Sequence, residues 1–212
     1  MAIGSTPRDS GNIPLGCVGS PGDATPQQLQ GGAEYTDANG NITAPLITAL
    51  SGDTWKATYS ASYKALAGVA GDLFTLTGSA SKTIKLVRIE ISGIATTAAT
   101  PDVSLEKRST ADSGGTAVTA ATIAPYDSTQ AAATATVAAY SAAPTQGTSV
   151  GILKASKLAC PLAGGASGLV AWDFTNTGKA PVLRGTTQQF AVVQSATLTG
   201  GSIDISCVWT EE

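Results

Sequence analysis

The chain has 212 residues, of which only 13% are charged, and a formal net charge of −3. Because neutralising phosphates requires an excess of lysine and arginine, this balance argues against a nucleic-acid partner. The chain contains no histidine, which removes the usual general base and the usual metal ligand of enzyme sites.

The N-terminal part of the chain differs in composition from the remainder. Residues 1–50 carry five prolines and eight glycines, which interrupt regular hydrogen-bonded ladders. We interpret this segment as an extended arm and not as a domain. Within it, residues 33–43 predict a small hairpin, because Asn39 and Gly40 suit the positive φ angles of a tight turn. Residues 37–41 also offer oxygen ligands to calcium, but they lack the glycine and glutamate positions of an EF-hand loop, so we favour the hairpin.

From Trp55 onward, hydrophobic and polar residues alternate with a period of two, which is the pattern of half-buried strands. Candidate strands lie at residues 55–63, 72–77, 82–94, 103–106, 150–160, 169–174, 190–193 and 202–210. Short strands separated by glycine and proline turns predict an all-β fold, in which residues 51–212 form one antiparallel, jelly-roll-like β-sandwich. We expect the buried residues to include Val87, Ile89, Ile91, Phe190, Val192, Ile203, Ile205 and Trp209.

Three stretches rich in alanine and threonine are less clear. Residues 131–140 have the alanine content of a helix but lack large apolar residues at helical spacing, so we favour a strand or a loop. Residues 96–100 and 116–122 are similar in composition. We interpret both as exposed loops or as small-residue surfaces for contact between subunits.

The sequence shows no signal for secretion or membrane insertion. The first residues lack the pattern of a secretory signal, and no apolar run is long enough to span a bilayer. We therefore expect a protein made in the cytosol, without a membrane partner.

Cys17, Cys160 and Cys207 share no metal-ligand spacing, so we expect reduced, mostly buried thiols and no disulfide between Cys160 and Cys207. The alternative for Cys17 is a cross-link to a neighbouring subunit.

Short catalytic motifs are present only in incomplete form. Ser79 with Lys82 and Ser104 with Lys107 match the S-x-x-K pattern, but the companion motifs of that catalytic group are missing. Residues 177–179 resemble the end of a phosphate-binding loop, but position 173 holds Asp where the loop needs its first glycine, and Lys179 is followed by Ala180. We therefore expect no nucleophilic or nucleotide-binding site.

Acidic and aromatic residues offer two further candidates. Carboxylates that converge in a cleft could hydrolyse glycosides, but single acids on the solvent faces of strands are the favoured interpretation. Tryptophans could line a sugar-binding face, although packing in the core or at an interface is favoured. The acids concerned are Asp102, Glu106, Asp173 and Asp204, and the tryptophans are Trp55, Trp172 and Trp209. We expect no catalytic residue, no metal and no cofactor, and hence a protein that is not an enzyme.

Several segments between residues 55 and 212 have a distinctive sequence, namely VSLEKRST at 103–110, GGT at 114–116, PYDST at 125–129, ATATVAAYSAAPTQGT at 133–148, WDF at 172–174, APVLRGT at 180–186 and VWTEE at 208–212. Taken together, these segments resemble a group of structural proteins from tailed bacteriophages and prophages. The arm is not part of this resemblance. The resemblance implies a role in the virion, with production in the host cytoplasm, and it carries over no catalytic residue, cofactor or receptor.

Two functions are compatible with these observations. The first is a structural subunit of a tailed-phage virion, either a capsid decoration or cement protein or a collar or fibre component. Its partners would be other virion subunits, namely the major capsid protein or tail and collar proteins, and it would form a homo-oligomer, with a trimer as one option. The alternative is a receptor- or glycan-binding module of a tail fibre or tail tip.

The arm favours the structural role. Residues 1–50 contain too few large apolar side chains to offset an ordering cost of about 1–2 kcal/mol per residue through a core of their own. We therefore expect the arm to be ordered by another surface, which could be its own sandwich but is more commonly a neighbouring subunit, and to be the device that incorporates the protein into particles.

Overall fold

A computed structural model describes residues 56–118, 123–175 and 180–212, together with the backbone of two short strands nearer the N-terminus. The chain divides into two compact units, Met1–Trp55 and Lys56–Glu212. In the first unit, strands β1 (Tyr35–Thr36) and β2 (Ile42–Thr43) pair antiparallel, which confirms the strand pairing of the predicted hairpin. The remainder of the predicted arm lies outside the described residues, as do Cys17, Trp55 and the candidate calcium-binding turn.

The described residues of the second unit form twelve strands and contain no helix. This confirms the prediction of an all-β domain. The strands are β3 (Ala57–Ala67), β4 (Gly71–Thr77), β5 (Ile84–Ile94), β6 (Asp102–Arg108), β7 (Thr116–Ala117), β8 (Ala124–Pro125), β9 (Thr136–Ala142), β10 (Ser149–Lys157), β11 (Leu169–Asp173), β12 (Val182–Leu183), β13 (Gln189–Gln194) and β14 (Ser202–Glu211).

The strands form two antiparallel sheets that pack as a β-sandwich. The first sheet has the order β10-β6-β13-β4-β9-β7, and the second has the order β11-β5-β14-β3-β8, with β12 also paired to β5. The edge strands β10 and β11 lie on the same side of the sandwich. There the Nζ atom of Lys154 lies 5.8 Å from the centre of the Phe174 ring, and the indole N–H of Trp172 donates to the hydroxyl of Ser156 at 3.3 Å.

The alternation along β14 explains why the chain folds in this way. Ile203, Ile205, Cys207 and Trp209 point into the core and are at most 1% exposed, whereas the residues between them face outward. Burying a large apolar side chain contributes roughly 1.5–3 kcal/mol, so a strand with this pattern is stable only with one face against a second layer. Since β14 pairs with both β5 and β3, it lies in the interior of its sheet.

Strand β5 departs from the predicted pattern at Val87. The prediction places Val87 in the core with Ile89 and Ile91, but Val87 is only half-buried and Leu86 is buried instead. The register explains the difference, because Val208 of β14 pairs with Arg88 and the next residue pairs with Leu86. Val87 is the extra residue of a β-bulge, which shifts the alternation by one position. The other seven residues predicted to be buried are at most 1% exposed, as predicted.

The ambiguous stretches resolve as extended structure or loop. Residues 136–140 belong to β9, which confirms that 131–140 does not form a helix, and Ala139 is buried opposite Phe74. Residues 96–98 are exposed, as predicted for a loop. Of the stretch 116–122, residues 116 and 117 are exposed as predicted but form strand β7 and not a loop, and residues 119–122 lie outside the described part of the chain.

The two described cysteines are buried free thiols, as predicted. Burial raises the pKa of both Cys160 and Cys207, which makes their thiols poor nucleophiles. In the described residues, no helix is long and apolar enough to cross a membrane.

Candidate functional site

The first S-x-x-K candidate, Ser79 with Lys82, lies in a turn. Ser79 is buried, and its hydroxyl oxygen accepts hydrogen bonds from the backbone N–H groups of Ser81 at 3.2 Å and of Lys82 at 3.3 Å. The side chain of Lys82 is exposed. Ser79 therefore caps the turn between β4 and β5, in the manner of many serines in loops.

The second candidate pair lies on opposite faces of one strand. Ser104 and Lys107 are three residues apart on β6, and side chains at that spacing point to opposite sides of a sheet. The ammonium group of Lys107 donates to the carbonyl oxygen of Val182 in the second sheet at 2.9 Å. Ser104 lies on the outer face of the first sheet, so the two side chains form no catalytic dyad.

The four candidate carboxylates are also divided between two faces. Asp102 and Glu106 lie on the outer face of the first sheet, where Asp102 forms an exposed ion pair with Lys157 at 2.7 Å. Asp173 and Asp204 lie on the outer face of the second sheet. Because the sheets of a sandwich are about 10 Å apart, these pairs do not converge in one cleft. Hydrogen bonds from Thr175 lower the pKa of Asp173, as expected for a solvated acid in a local turn.

The described tryptophans belong to the core and not to a sugar-binding face. Trp209 is fully buried and stacks on Tyr59 with ring centres 6.0 Å apart. Trp172 is 5% exposed and spans from β11 to β10. The phosphate-loop-like segment 177–179 lies outside the described residues. Within the described part of the chain, no group of three or more potential metal ligands is found.

Two buried acidic clusters were not foreseen from the sequence. The first is centred on Glu211 near the end of β14. Its carboxylate accepts hydrogen bonds from the N–H and the hydroxyl of Thr134, from the N–H of Ala135 at 2.9 Å and from the indole N–H of Trp209 at 3.1 Å. Burial alone would raise the pKa of Glu211, but these hydrogen bonds outweigh it and hold the pKa below its ordinary value. We call these residues the Glu211 cluster.

The second cluster is ionic and lies on the outer face of the first sheet. The guanidinium of Arg108 binds both carboxylate oxygens of Asp72 and also pairs with Asp112, and all three side chains are completely buried. Glu106 lies next to it, with a carboxylate oxygen 3.5 Å from Nη2 of Arg108. We call Arg108, Asp72 and Asp112 the Arg108 cluster.

Two loops cover the Arg108 cluster. From the loop before β10, the side-chain amide of Gln146 donates to Asp72 and the N–H of Gly147 donates to Asp112, both at 2.8 Å. From the loop after β6, the N–H of Asp112 donates to the side chain of Gln189 at 2.7 Å. The cluster is therefore sealed from solvent and ties the loops to the sheet, with no face open to a substrate.

Charges in the Arg108 cluster influence one another strongly. Burial lowers the pKa of Arg108, but its hydrogen bonds to Asp72 and Asp112 outweigh that effect and hold the pKa above its ordinary value. Burial and the neighbouring Asp72 raise the pKa of Asp112, in spite of the hydrogen bonds from Gly147 and Arg108. Among the described residues, Nε of Arg108 and Oδ2 of Asp112 have no hydrogen-bond partner.

Among the described residues, the edge strand β10 carries three of the six exposed large apolar side chains. Eight of its nine residues are exposed, and three of them, Val150, Ile152 and Leu153, are large and apolar. Strand β10 pairs with β6 on one side only, so its other side presents unpaired backbone groups. We call this surface the β10 edge. The alternation in 150–160 indicates a strand, but nothing in the sequence shows that it lies at an edge.

A hollow lies beside the β10 edge. It has a volume of about 430 Å³ and is lined by Ile152, Ala155 and Lys157 of β10 and by Val103, Ser104 and Val193 of its neighbours, among others. Next to it, residues 154–157 pair with β6 in regular register, whereas bulges interrupt the pairing nearer Val150 and Leu153. The hollow therefore lies on the face of the first sheet, over β10, β6 and β13, next to the regular stretch of β10.

The outermost strands on the opposite side of the sandwich are short. Its outermost strands, β7 and β8, have two residues each, and β8 contains Pro125, which lacks a backbone N–H. Short edge strands and proline are common protections against pairing with another chain. The strand at the β10 edge, with nine residues, is therefore much longer than the two outermost strands of the opposite side.

Comparison of the chain with protein-family models, with curated proteins and with solved structures finds no match.

Proposed function

We propose that this protein is a structural subunit of a tailed-phage virion, most directly a capsid decoration or cement protein, or else a collar or fibre component. The observation that carries the proposal is the β10 edge, a nine-residue strand that is paired on one side only and carries exposed apolar residues. Such an edge suits a protein that works by contact with other subunits. The resemblance of residues 55–212 to phage structural proteins supplies the biological setting.

The chemistry of the described residues supports an assembly role over catalysis. The candidate serine, lysine and carboxylate side chains lie apart, and the most unusual ionic group, the Arg108 cluster, is sealed by loops. The described tryptophans are buried, so they offer no stacking surface to a sugar, which weighs against the receptor-binding alternative.

The location in the particle can be tested with purified virions. We expect density-gradient-purified particles to contain the protein in many copies, measured by quantitative mass spectrometry against the major capsid protein, and a virion reconstruction to place it on the capsid or at the collar. Its absence from purified particles, or its presence only in soluble lysate, would contradict the proposal.

The role of the arm is tested by deletion. We expect a variant without residues 1–50 to remain soluble with the circular-dichroism signal of a β protein but to be missing from particles, because the arm contributes the contact that incorporates it. The matched control is Tyr126→Ser, which changes an exposed side chain beside β8 and should leave incorporation unchanged. Normal occupancy of the truncated protein would show that the sandwich surface alone suffices.

A further inference from the structure

The Arg108 cluster contains more acidic than basic groups. Arg108 from β6 supplies the positive charge, and Asp72 from β4 and Asp112 from the loop after β6 face it with completely buried side chains. Glu106, also from β6, adds a third carboxylate beside Nη2 of Arg108. If all these groups were ionised, the buried site would hold an uncompensated negative charge, which is costly away from water. Uptake of one proton makes the three buried side chains neutral as a group.

The other groups that the described residues bring into hydrogen-bonding contact with the cluster are uncharged. Gln189 of β13 accepts the backbone N–H of Asp112 at 2.7 Å. The loop before β10 contributes the side-chain amide of Gln146 and the N–H of Gly147. These neighbours donate or accept hydrogen bonds but supply no second cation to balance the second aspartate.

The hydrogen bonds identify the oxygen atom that takes up the proton. Oδ1 of Asp72 accepts from Nη2 of Arg108 and from Gln146, and Oδ2 of Asp72 accepts from Nη1 of Arg108. Oδ1 of Asp112 accepts from Nη1 of Arg108 and from the N–H of Gly147. Among the described residues, Oδ2 of Asp112 is buried without a hydrogen-bond donor. A negative charge on that oxygen is unstabilised, whereas a protonated oxygen is neutral and can itself donate.

The two carboxyl groups of the cluster are close enough to bond to each other. Asp72 and Asp112 both accept a hydrogen bond from Nη1 of Arg108, and their side chains lie within hydrogen-bonding reach. Ionised carboxylates can only accept hydrogen bonds, so a bond between two of them requires a proton on one. When two buried carboxyl groups share a proton, one of them has a raised pKa. The pKa of Asp112 is raised by burial and by Asp72, which agrees with a proton on Asp112.

Asp112 lies where the two loops over the cluster meet the first sheet. These loops, residues 109–115 and 143–148, are bonded to each other, because Ser113 and Thr145 exchange backbone hydrogen bonds of 3.0 and 2.8 Å. We call the two loops the loop cover. Asp112 belongs to the cover and joins it to the sheet through the contacts described above, so its protonation state affects how firmly the cover is held.

We propose that Oδ2 of Asp112 carries a proton in the folded protein and that this proton holds the loop cover against the sheet. The proton forms a hydrogen bond to Asp72 and removes the repulsion between the two carboxyl groups. Its loss leaves an uncompensated negative charge in the buried site, so the cover lifts and water reaches the carboxylates. The cover is thus a pH-dependent switch, closed at low pH and loosened as the pH rises, and it does not depend on the virion role proposed above.

Carbon NMR of the purified full-length protein locates the proton. The probe is the side-chain carboxyl carbon of Asp112, assigned by its loss from the spectrum of Asp112→Asn. We expect this carbon to titrate above the ordinary aspartate pKa of about 3.9 and to show, below its own pKa, the shift between H2O and D2O of a carboxylic acid. Titration at or below the ordinary value, or a larger change at the carboxyl carbon of Asp72, would overturn the proposal.

Hydrogen exchange measures the attachment of the cover. The probe is the amide of Gly147, whose N–H donates to Oδ1 of Asp112. We expect its protection factor to fall by up to about tenfold per pH unit as the pH rises from the ordinary aspartate range to the folded-state pKa of Asp112, because the closed cover binds a proton that the open cover releases. Constant protection over this range would show that the cover is held without the proton.

Two variants make the exchange experiment specific. Asp112→Asn keeps an acceptor for Gly147 but cannot lose a proton, so the protection of Gly147 should no longer fall with rising pH. Asp102→Asn removes the same charge from an exposed ion pair with Lys157 and is the matched control, which should keep the fall. A fall that persists in Asp112→Asn, or one that disappears in Asp102→Asn, would contradict the assignment.

The partner acid gives an independent test. In Asp72→Asn the positive charge of Arg108 is left to Asp112, so we expect the pKa of Asp112 to return to its ordinary value or below, measured by the same carbon titration. A raised pKa of Asp112 in this variant would show that burial and not the second carboxyl group is the cause. If Asp72→Asn does not fold, the titration of the unaltered protein still decides whether Asp112 carries the proton.

Discussion

The Glu211 cluster and the Arg108 cluster each hold a loop against a sheet through a buried carboxylate, but the carboxylates have different partners. In the Glu211 cluster one acid accepts hydrogen bonds from neutral donors, and its pKa is lowered. In the Arg108 cluster two acids share one guanidinium, and the pKa of Asp112 is raised. The difference shows that burial alone does not decide the charge state of an acid, because the hydrogen-bond donors and the other charges around the carboxylate also decide it.

The largest expected effect comes from removing the cation of the Arg108 cluster. Arg108→Met leaves Asp72 and Asp112 buried without a counter-charge, so we expect a loss of about 3–5 kcal/mol in the free energy of unfolding, measured by urea denaturation. The control is Arg88→Met, which breaks a partly exposed pair with Glu90 and should cost less than about 1 kcal/mol. Equal losses in the two variants would show that the buried cluster contributes no more than a surface pair.

A smaller effect is expected from the Glu211 cluster. Glu211→Gln keeps the size of the side chain but removes the charge that accepts hydrogen bonds from Thr134 and Ala135, and we expect a loss of about 1.5–3 kcal/mol. Glu212→Gln is the matched control, because Glu212 pairs with lysines while remaining about 30% exposed. Less destabilisation by Glu211→Gln than by Glu212→Gln would contradict the role of the cluster.

The pH dependence of these variants separates the clusters further. Because the pKa of Glu211 is lower in the folded state than in the unfolded state, its contribution is present above the ordinary glutamate range and is lost as the pH falls through the folded-state value. We expect Glu211→Gln to flatten the acid side of the curve of unfolding free energy against pH. If Glu211→Gln left the acid side of this curve unchanged, another acid would be the cause of the stability lost at low pH.

The smallest effect is expected at Asp112 and has the opposite sign. Its pKa is raised in the folded state, so its contribution is complete below the ordinary aspartate range and is lost as the pH rises through the folded-state value. We expect Asp112→Asn to remove this decline and to change the unfolding free energy at pH 7 by about 1 kcal/mol or less. A steeper decline with rising pH in the variant would contradict the assignment.

The sequence predicted the fold more completely than it predicted the clusters. Period-two alternation identified β14 and its buried residues, because an inward-facing strand position must be apolar whichever strand lies beside it. Asp72 and Arg108, in contrast, resemble ordinary solvent-facing residues of their strands. Their burial depends on Gln146 and Gly147, which come from a loop more than 35 residues away in the chain.

By itself, the sequence therefore determined the all-β class, the strand pairing of the short hairpin and most of the core, because these depend on local pattern. Only the tertiary structure decided three further points: the bulge that turns Val87 from the core, the sealing of the Arg108 cluster and the position of β10 at an open edge. Each of these depends on which distant segment lies alongside a strand. The alternation of residues within a strand does not show which segment lies alongside it, since the same pattern of side chains fits an interior strand and an edge strand equally well.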